Sequence, residues 1–332
     1  MKLNELKFDE LKTDKKEIYT NLWKNSNLNF DIQKTGQNDF SYQFEIGFDP
    51  VENVASKIAD IFNLSDKVVF IEKFKMVCAG NGNELAKITT LHSSSLCSLL
   101  FFYNVTKENP LIIDEYTFTQ SIFEFKNKVI GYPSNIDVVL IGKDSKGKKV
   151  ILFLESKFSE YITGRTKSYC AYKLGKSYLN NKFSKPVYSD DSLLSDLGLE
   201  LNQNEEELSL IPKEDKYVEG LKQIISHYVG IRNLLTNNCY EKDNANFTSV
   251  KEEAQNAEIL LGEILFDNFG NEFEPILNSY EKDYEILAKK LNEISEKPSE
   301  FKILNKLWHY STLKDFPKDE KVREFYFGNN NN

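Results

Sequence analysis

The spacing of apolar positions changes several times along the chain, and each change marks an element. Behind Asp49-Pro50, the residues Val51, Val54, Ile58 and Ile61 recur at helical spacing, with the proline placed where a helix tolerates one; a short helix is expected. Residues 67–78 (KVVFIEKFKMVC) are dense in Val, Phe and Ile and read as a strand. Residues 83–104 carry Leu85, Ile88, Leu91, Leu96 and Leu99 at helical spacing and read as one helix. Strand patterns then cluster at 120–126 (QSIFEFK), 136–142 (IDVVLIG) and 149–157 (KVILFLESK). The turn-rich stretch 143–148 joins the last two as a hairpin. Residues 158–216 do not alternate like a sheet and read as an insertion. Residues 217–235 are an amphipathic helix. The apolar run 257–266 has a length that suits a strand or a buried helix, and strand is preferred. Residues 272–294 place Leu277, Tyr280, Tyr284, Leu287 and Leu291 on one side of a further helix.

The expected fold is therefore α/β: a helix, three strands, an insertion, a helix, a strand and a further helix, around a mixed central sheet. Residues 1–82 form an N-terminal extension whose first forty residues are polar and weakly patterned. Residues 83–268 form the core, with the charged insertion at 158–216, and 269–332 form a helical C-terminal part.

Composition narrows the chemistry. At 332 residues with 40% hydrophobic content the chain can bury a real core. No apolar run approaches the roughly 20 residues that span a bilayer, and Met1 to Leu6 lacks the apolar stretch of a secretory signal, so a cytoplasmic protein with no membrane partner is expected. Cys78, Cys97, Cys170 and Cys239 are scattered without a Cys-x-x-Cys pair, and there are only three histidines, His92, His227 and His309. A zinc or histidine-rich centre is thereby disfavoured, and carboxylates would supply the ligands of a hard cation such as magnesium or manganese. The net charge of -9 argues against wholesale coating of nucleic acid, but the charge is uneven. From 143 to 185 eleven Lys or Arg stand against three acids; from 190 to 219 ten acids stand against two lysines.

Glu-x-Lys occurs six times in the chain, so the tripeptide alone is weak. Glu155-Ser156-Lys157 differs because it ends the apolar strand Val150-Ile151-Leu152-Phe153-Leu154, where two charges demand a partner, a metal or water. The midpoint between Asp137 and Glu155 is Lys146, inside the expected turn, so an antiparallel hairpin sets the two carboxylates side by side. Alternation projects Glu155 and Lys157 from one face. Adjacent carboxylates repel unless a cation lies between them, and a divalent ion with a lysine beside it is suited to phosphodiester hydrolysis. The three groups are expected at a water-accessible rim of the sheet, and the competing reading is an exposed ion-pair cluster at a hairpin end. A second candidate, Asp114 with Glu124-Phe125-Lys126, is set aside because its midpoint, Phe118-Thr119-Gln120, holds no turn residue.

Ile136-Asp137, a hairpin and Glu155-Ser156-Lys157, with a helix before and a helix and strand after, resemble the PD-(D/E)XK nuclease superfamily, also called restriction-endonuclease-like. The resemblance covers about residues 83–268. It implies a helix, three strands, helix, strand core, a magnesium-dependent endonuclease acting on DNA, Asp137 and Glu155 as metal ligands and Lys157 as the catalytic lysine. It further implies Glu84 as an acid on the first core helix, which equally suits a charge favoured by a helix N-terminus, and Gln223, with His227 one turn later, on the helix after the motif strands, where a polar pair on an exposed face is the alternative. Pro133 lies four residues before Asp137 rather than directly before it. Arg165, Lys167, Lys173 and Lys176 interleave with Tyr161, Tyr169, Tyr172 and Tyr178, a mixture suited to binding nucleic acid, DNA above RNA, or to a helix burying tyrosines under solvated lysines. A homodimer would suit double-strand cutting. No phosphate loop is present, Gly80-Asn81-Gly82-Asn83 reads as a turn, and Leu91-His92-Ser93-Ser94-Ser95 reads as the inside of an apolar helix.

Overall fold

The computed structural model describes residues 2, 30–34, 42–45, 50–79, 84–130, 133–163, 172–174, 177–203, 208–236, 247–295, 301–313 and 316–328. Its centre is a seven-stranded mixed sheet in the order β11-β10-β6-β5-β4-β3, with β12 also on β10. The strands are β3 (Leu111–Ile113), β4 (Tyr116–Lys128), β5 (Pro133–Asp144), β6 (Lys149–Lys157), β10 (Glu258–Leu265), β11 (Phe301–Ile303) and β12 (Trp308–His309). β3 to β6 are an antiparallel meander, whereas β10 runs parallel to β6 and is reached through the crossover helix α9 (Glu219–Leu235). Every residue of β10 is buried, and all but the first of β6, as expected of strands covered on both faces. α4 (Ser94–Phe102) packs on one side of β5 and β6, and α9 lies on the other against β4, β5 and β10.

The expected hairpin is present. Asp144 Oδ1 accepts from the backbone N–H of Lys146 (2.9 Å) and Lys148 (2.8 Å), and Gly147 adopts φ 81°, a conformation that favours glycine. The turn fixes the register from Lys143 opposite Lys149 to Val138 opposite Leu154.

Four local expectations are corrected. Residues 67–78 form a helix, α2 (Lys67–Cys78), after α1 (Val51–Ile61). Asp66 accepts from the Val69 N–H at 3.0 Å to cap it, and Phe70, Phe74 and Val77 bury one stripe while Val68 and Met76 are exposed; β-branched content was outweighed by helical spacing and a cap. The expected helix over 83–104 is two, α3 (Glu84–Ile88) and α4. The backbone between them turns to the N-terminal hairpin β1 (Ile32–Lys34) and β2 (Tyr42–Phe44), with Leu91 N–H donating to Tyr42 O at 3.0 Å, and Ser93 caps α4 by accepting from Leu96 N–H at 3.1 Å. His92 and Ser93 thus sit in a break rather than inside a helix.

The insertion, read as lacking a sheet, holds a small antiparallel one, β7 (Tyr172–Leu174), β9 (Leu208–Pro212) and β8 (Leu199–Gln203) in that order, of three to five residues each and too short to show a period. It also holds the short helices α5 (Glu160–Thr163), α6 (Ser177–Asn180), α7 (Lys185–Tyr188) and α8 (Asp191–Asp196). The C-terminal part, read as helical, follows α10 (Phe247–Ala254) and β10 with α11 (Glu274–Ile294), but β11 and β12 then extend the central sheet before α12 (Glu320–Phe327).

The two ends of the described chain meet. Phe325 of α12 lies 5.9 Å from Phe30, before β1, and 5.5 Å from Phe62, at the end of α1. Asp319 accepts from Ser65 N–H and from the Tyr103 hydroxyl, both at 2.7 Å. No described helix is long and apolar enough to cross a membrane.

Candidate functional site

β5 and β6 part just beyond Val138 and Leu154, and one further step of the register sets Asp137 opposite Glu155. Where the ladder ends, the Asp137 side chain replaces a backbone acceptor: its Oδ2 accepts from Ser156 N–H at 2.7 Å. Asp137 and Glu155 thus border one peptide. Glu155 Oε1 accepts from Lys157 Nζ at 2.6 Å, and Glu155 Oε2 lies 2.8 Å from His227 Nε2 on α9. A carboxylate only accepts, so His227 Nε2 carries the proton, and His227 Nδ1 lies 2.9 Å from Ser134 Oγ at the start of β5. The chain Ser134, His227, Glu155, Lys157 is continuous.

The expected contact with water is corrected. Glu155 is 3% exposed and Lys157 4%, because α9 covers the end of the sheet; Asp137 is partly exposed. Burial works against every charge here, and the outcome differs by partner. Glu155 is held below the usual carboxylate range because Lys157 and His227 outweigh its burial. Lys157 is held above the usual lysine range, its burial outweighed by Glu155 with smaller help from Tyr217, Glu263 and Glu160. Asp137 is pushed well up by burial and by the charges of Glu155 and Glu124, against weaker opposition from Lys157 and the Ser156 N–H.

Two further acids border this region, one weighed in the sequence with Asp114 and set aside, the other not weighed at all. Glu124, set aside with the rejected motif, stands opposite Asp137, since Phe123 pairs with Val138 and Phe125 with Ile136. Its backbone is left-handed, φ 51°, and there the alternation of β4 breaks. Phe123 faces Lys73 of α2, whose ammonium is 5.6 Å from the ring, whereas Phe125 packs on Phe153 and Phe247. Glu263 stands beside Glu155 in the parallel register of β10 and β6 and is 0% exposed. Its Oε1 accepts from the Tyr280 hydroxyl of α11 at 2.9 Å, Oε2 has no hydrogen-bond partner among the described residues, and burial pushes the group up to about 8. An acid in the interior of the apolar run 257–266, with apolar residues or glycine for four positions before it and three after, was the available signal for Glu263.

The remaining sequence candidates are less gathered. Gln223 lies one turn before His227 on α9, with a buried Oε1 that has no hydrogen-bond partner among the described residues. Glu84 opens α3, and its side chain lies outside what is described. Arg165, Lys167 and Lys176 lie outside the described residues, as do Tyr169, Cys170 and Cys239; Lys173 is on β7, its side chain likewise undescribed. Tyr161 and Tyr178 are buried, as the helix-burying alternative has it for those two rings.

The donor chemistry of Asp137 and Glu155 is all oxygen, and the crowding of Asp137 by like charge is what a hard cation relieves. Among the described residues, however, no three His, Cys, Asp or Glu side chains are close enough together to hold a metal ion. No protein-family model matches the chain, and neither the curated proteins nor the solved structures provide a significant match.

Proposed function

We propose that this chain is a metal-dependent nuclease of the PD-(D/E)XK kind, with a restriction-endonuclease-like core, that hydrolyses DNA phosphodiesters. The observation that carries the reading is the buried Glu155–Lys157 pair with the Asp137 carboxyl bound to the peptide between them, at the parting of a hairpin followed by a crossover helix and a parallel strand. Asp137 and Glu155 would hold magnesium, or manganese in its place, with water completing the shell. When bound, the ion supplies Lewis-acid polarisation of the phosphodiester and a more acidic water.

The residues of the chain do the rest. Lys157, held above the usual lysine range by Glu155, would orient the attacking water and offset charge on the phosphate. His227 and Ser134 fix the rotamer of Glu155 from the α9 side, and substrate reaches the centre by way of the more exposed Asp137. Gln223 and Glu84 are second candidates for the same centre, and Arg165, Lys167, Lys173 and Lys176 for contact with the DNA backbone. A cytoplasmic role in defence or repair, with a homodimer for double-strand cutting, is the setting by analogy.

Plasmid and single-stranded DNA incubated with magnesium or manganese test the proposal. Wild type should cut at least one, and Lys157→Ala should lower the rate by roughly 100-fold or more; absence of cleavage with every divalent metal overturns it. A second reading, a nucleic-acid-binding protein that does not cut, draws on the occupation of both Glu155 oxygens by Lys157 and His227. It requires DNA binding that persists in chelator.

A further inference from the structure

In the centre as it stands, Glu155 gives one lone pair of each oxygen to Lys157 and His227, so a divalent ion bound to it would be crowded by the Lys157 ammonium, which lies 2.6 Å from Oε1. A released Lys157 ammonium would be a buried cation without its counter-charge, which is strongly unfavourable. Glu263 lies beside Glu155 on the adjacent parallel strand, so the two carboxyl groups project from one face, and Lys157 projects from that face two positions further on. Glu263 is buried, and among the described residues its Oε2 has no hydrogen-bond partner, an expensive state for a carboxyl group, while Tyr280 anchors its other oxygen. Lys157 and Glu263 each count among the charges that act on the other.

We propose that Glu263 is a positioning residue that receives the Lys157 ammonium when Glu155 turns to a metal ion. The lysine is thus handed between two carboxyl groups on neighbouring strands. Tyr280 keeps the second carboxyl pre-set, and α11, which carries Tyr280, becomes part of the support of the centre. The metal-driven half of this exchange rests on the nuclease reading; the affinity of Lys157 for Glu263 does not.

The experiment uses urea unfolding of the full chain with Glu155→Gln, Glu263→Gln and the double variant, first without metal. Glu155→Gln removes the charge that holds Lys157 and stands in for a Glu155 engaged elsewhere. The lysine then depends on Glu263, so the unfolding constant of the double variant should exceed the value expected from the two single variants by about tenfold. Additive effects overturn the proposal. Should the double variant not fold at 25 °C, Glu263→Gln is combined with Lys157→Met instead, and the unfolding constant of that double variant should fall below the value expected from its two single variants. If Glu263 acts through Lys157 in the metal-bound state, Glu263→Gln should erase most of the stabilisation that manganese confers on wild type and have no such effect in the Lys157→Met background. Equal manganese stabilisation with and without Glu263 overturns the handover and leaves the nuclease reading intact. Failure of manganese to stabilise wild type, by contrast, removes metal binding and with it the metal-driven exchange.

Discussion

Replacing Lys157 with methionine isolates the electrostatic part of the centre, because methionine keeps most of the aliphatic stem and removes the ammonium. The pair it breaks is deeply buried, with side chains 5% and 4% exposed and the charged atoms 2.6 Å apart. Breaking a buried pair from one side costs about 3–5 kcal/mol, chiefly because the remaining charge has lost its partner. With a urea slope of about 3 kcal/mol/M, the unfolding midpoint should fall by roughly 1–2 M. Glu155 retains His227 and can also take up a proton, so the loss should be smaller at pH 5 than at pH 8. The control is Lys149→Met, which removes an ion pair with Glu253 whose side chains are 42% and 36% exposed, and it should cost under about 1 kcal/mol. Equal losses for the two variants, or a Lys157→Met midpoint within about 0.3 M of wild type, would refute the claim that a tightly coupled buried charge pair holds this end of the sheet.

Two further outcomes follow from other parts of the fold. A Cβ at Gly142 would lie 2.1 Å from Thr117 O and 2.6 Å from Phe118 Cα, backbone atoms of the neighbouring strand that cannot give way, so Gly142→Ala should lose about 3 kcal/mol in thermal or urea unfolding while an alanine at the exposed Lys143 should be nearly silent. His309 is bracketed by Asp267 (3.3 Å from Nδ1) and Glu281 (2.7 Å from Nε2); burial opposes its charge, but the two acids prevail and raise it above the ordinary histidine value. Its contribution is therefore complete below about pH 6.5 and is lost as pH rises through the higher folded value. The melting temperature of wild type should fall more between pH 6 and pH 8 than that of His309→Gln; parallel falls would contradict the assignment.

The legible parts of the site were those set by local chemistry. An antiparallel hairpin takes its register from its own turn, so Asp144 and Gly147 sufficed to set Asp137 opposite Glu155. The neighbour of Glu155 on the other side was not legible. Glu263 arrives through a parallel pairing whose register is decided by how α9 packs and not by any turn. Burial was misjudged for the same reason: the strand-end charges look exposed until α9 is laid across them. Glu124 was set aside with Asp114 because their midpoint holds no turn residue, and the left-handed backbone that accompanies its place opposite Asp137 leaves no mark in the pattern of the strand. In 67–78 a cap and a stripe of phenylalanines outweighed strand propensity, and in 83–104 a continuous apolar spacing concealed a break made by Ser93 and by contact with the N-terminal hairpin.

The aromatic cluster of Phe30, Phe44, Phe62 and Phe325 has a consequence for how the molecule is made. The β1–β2 hairpin waits for a ring far along the chain, so that corner closes only once α12 has been translated. Until then those phenylalanines lack their last neighbour. A nascent chain stalled before α12 should accordingly engage holding chaperones more than the finished protein does.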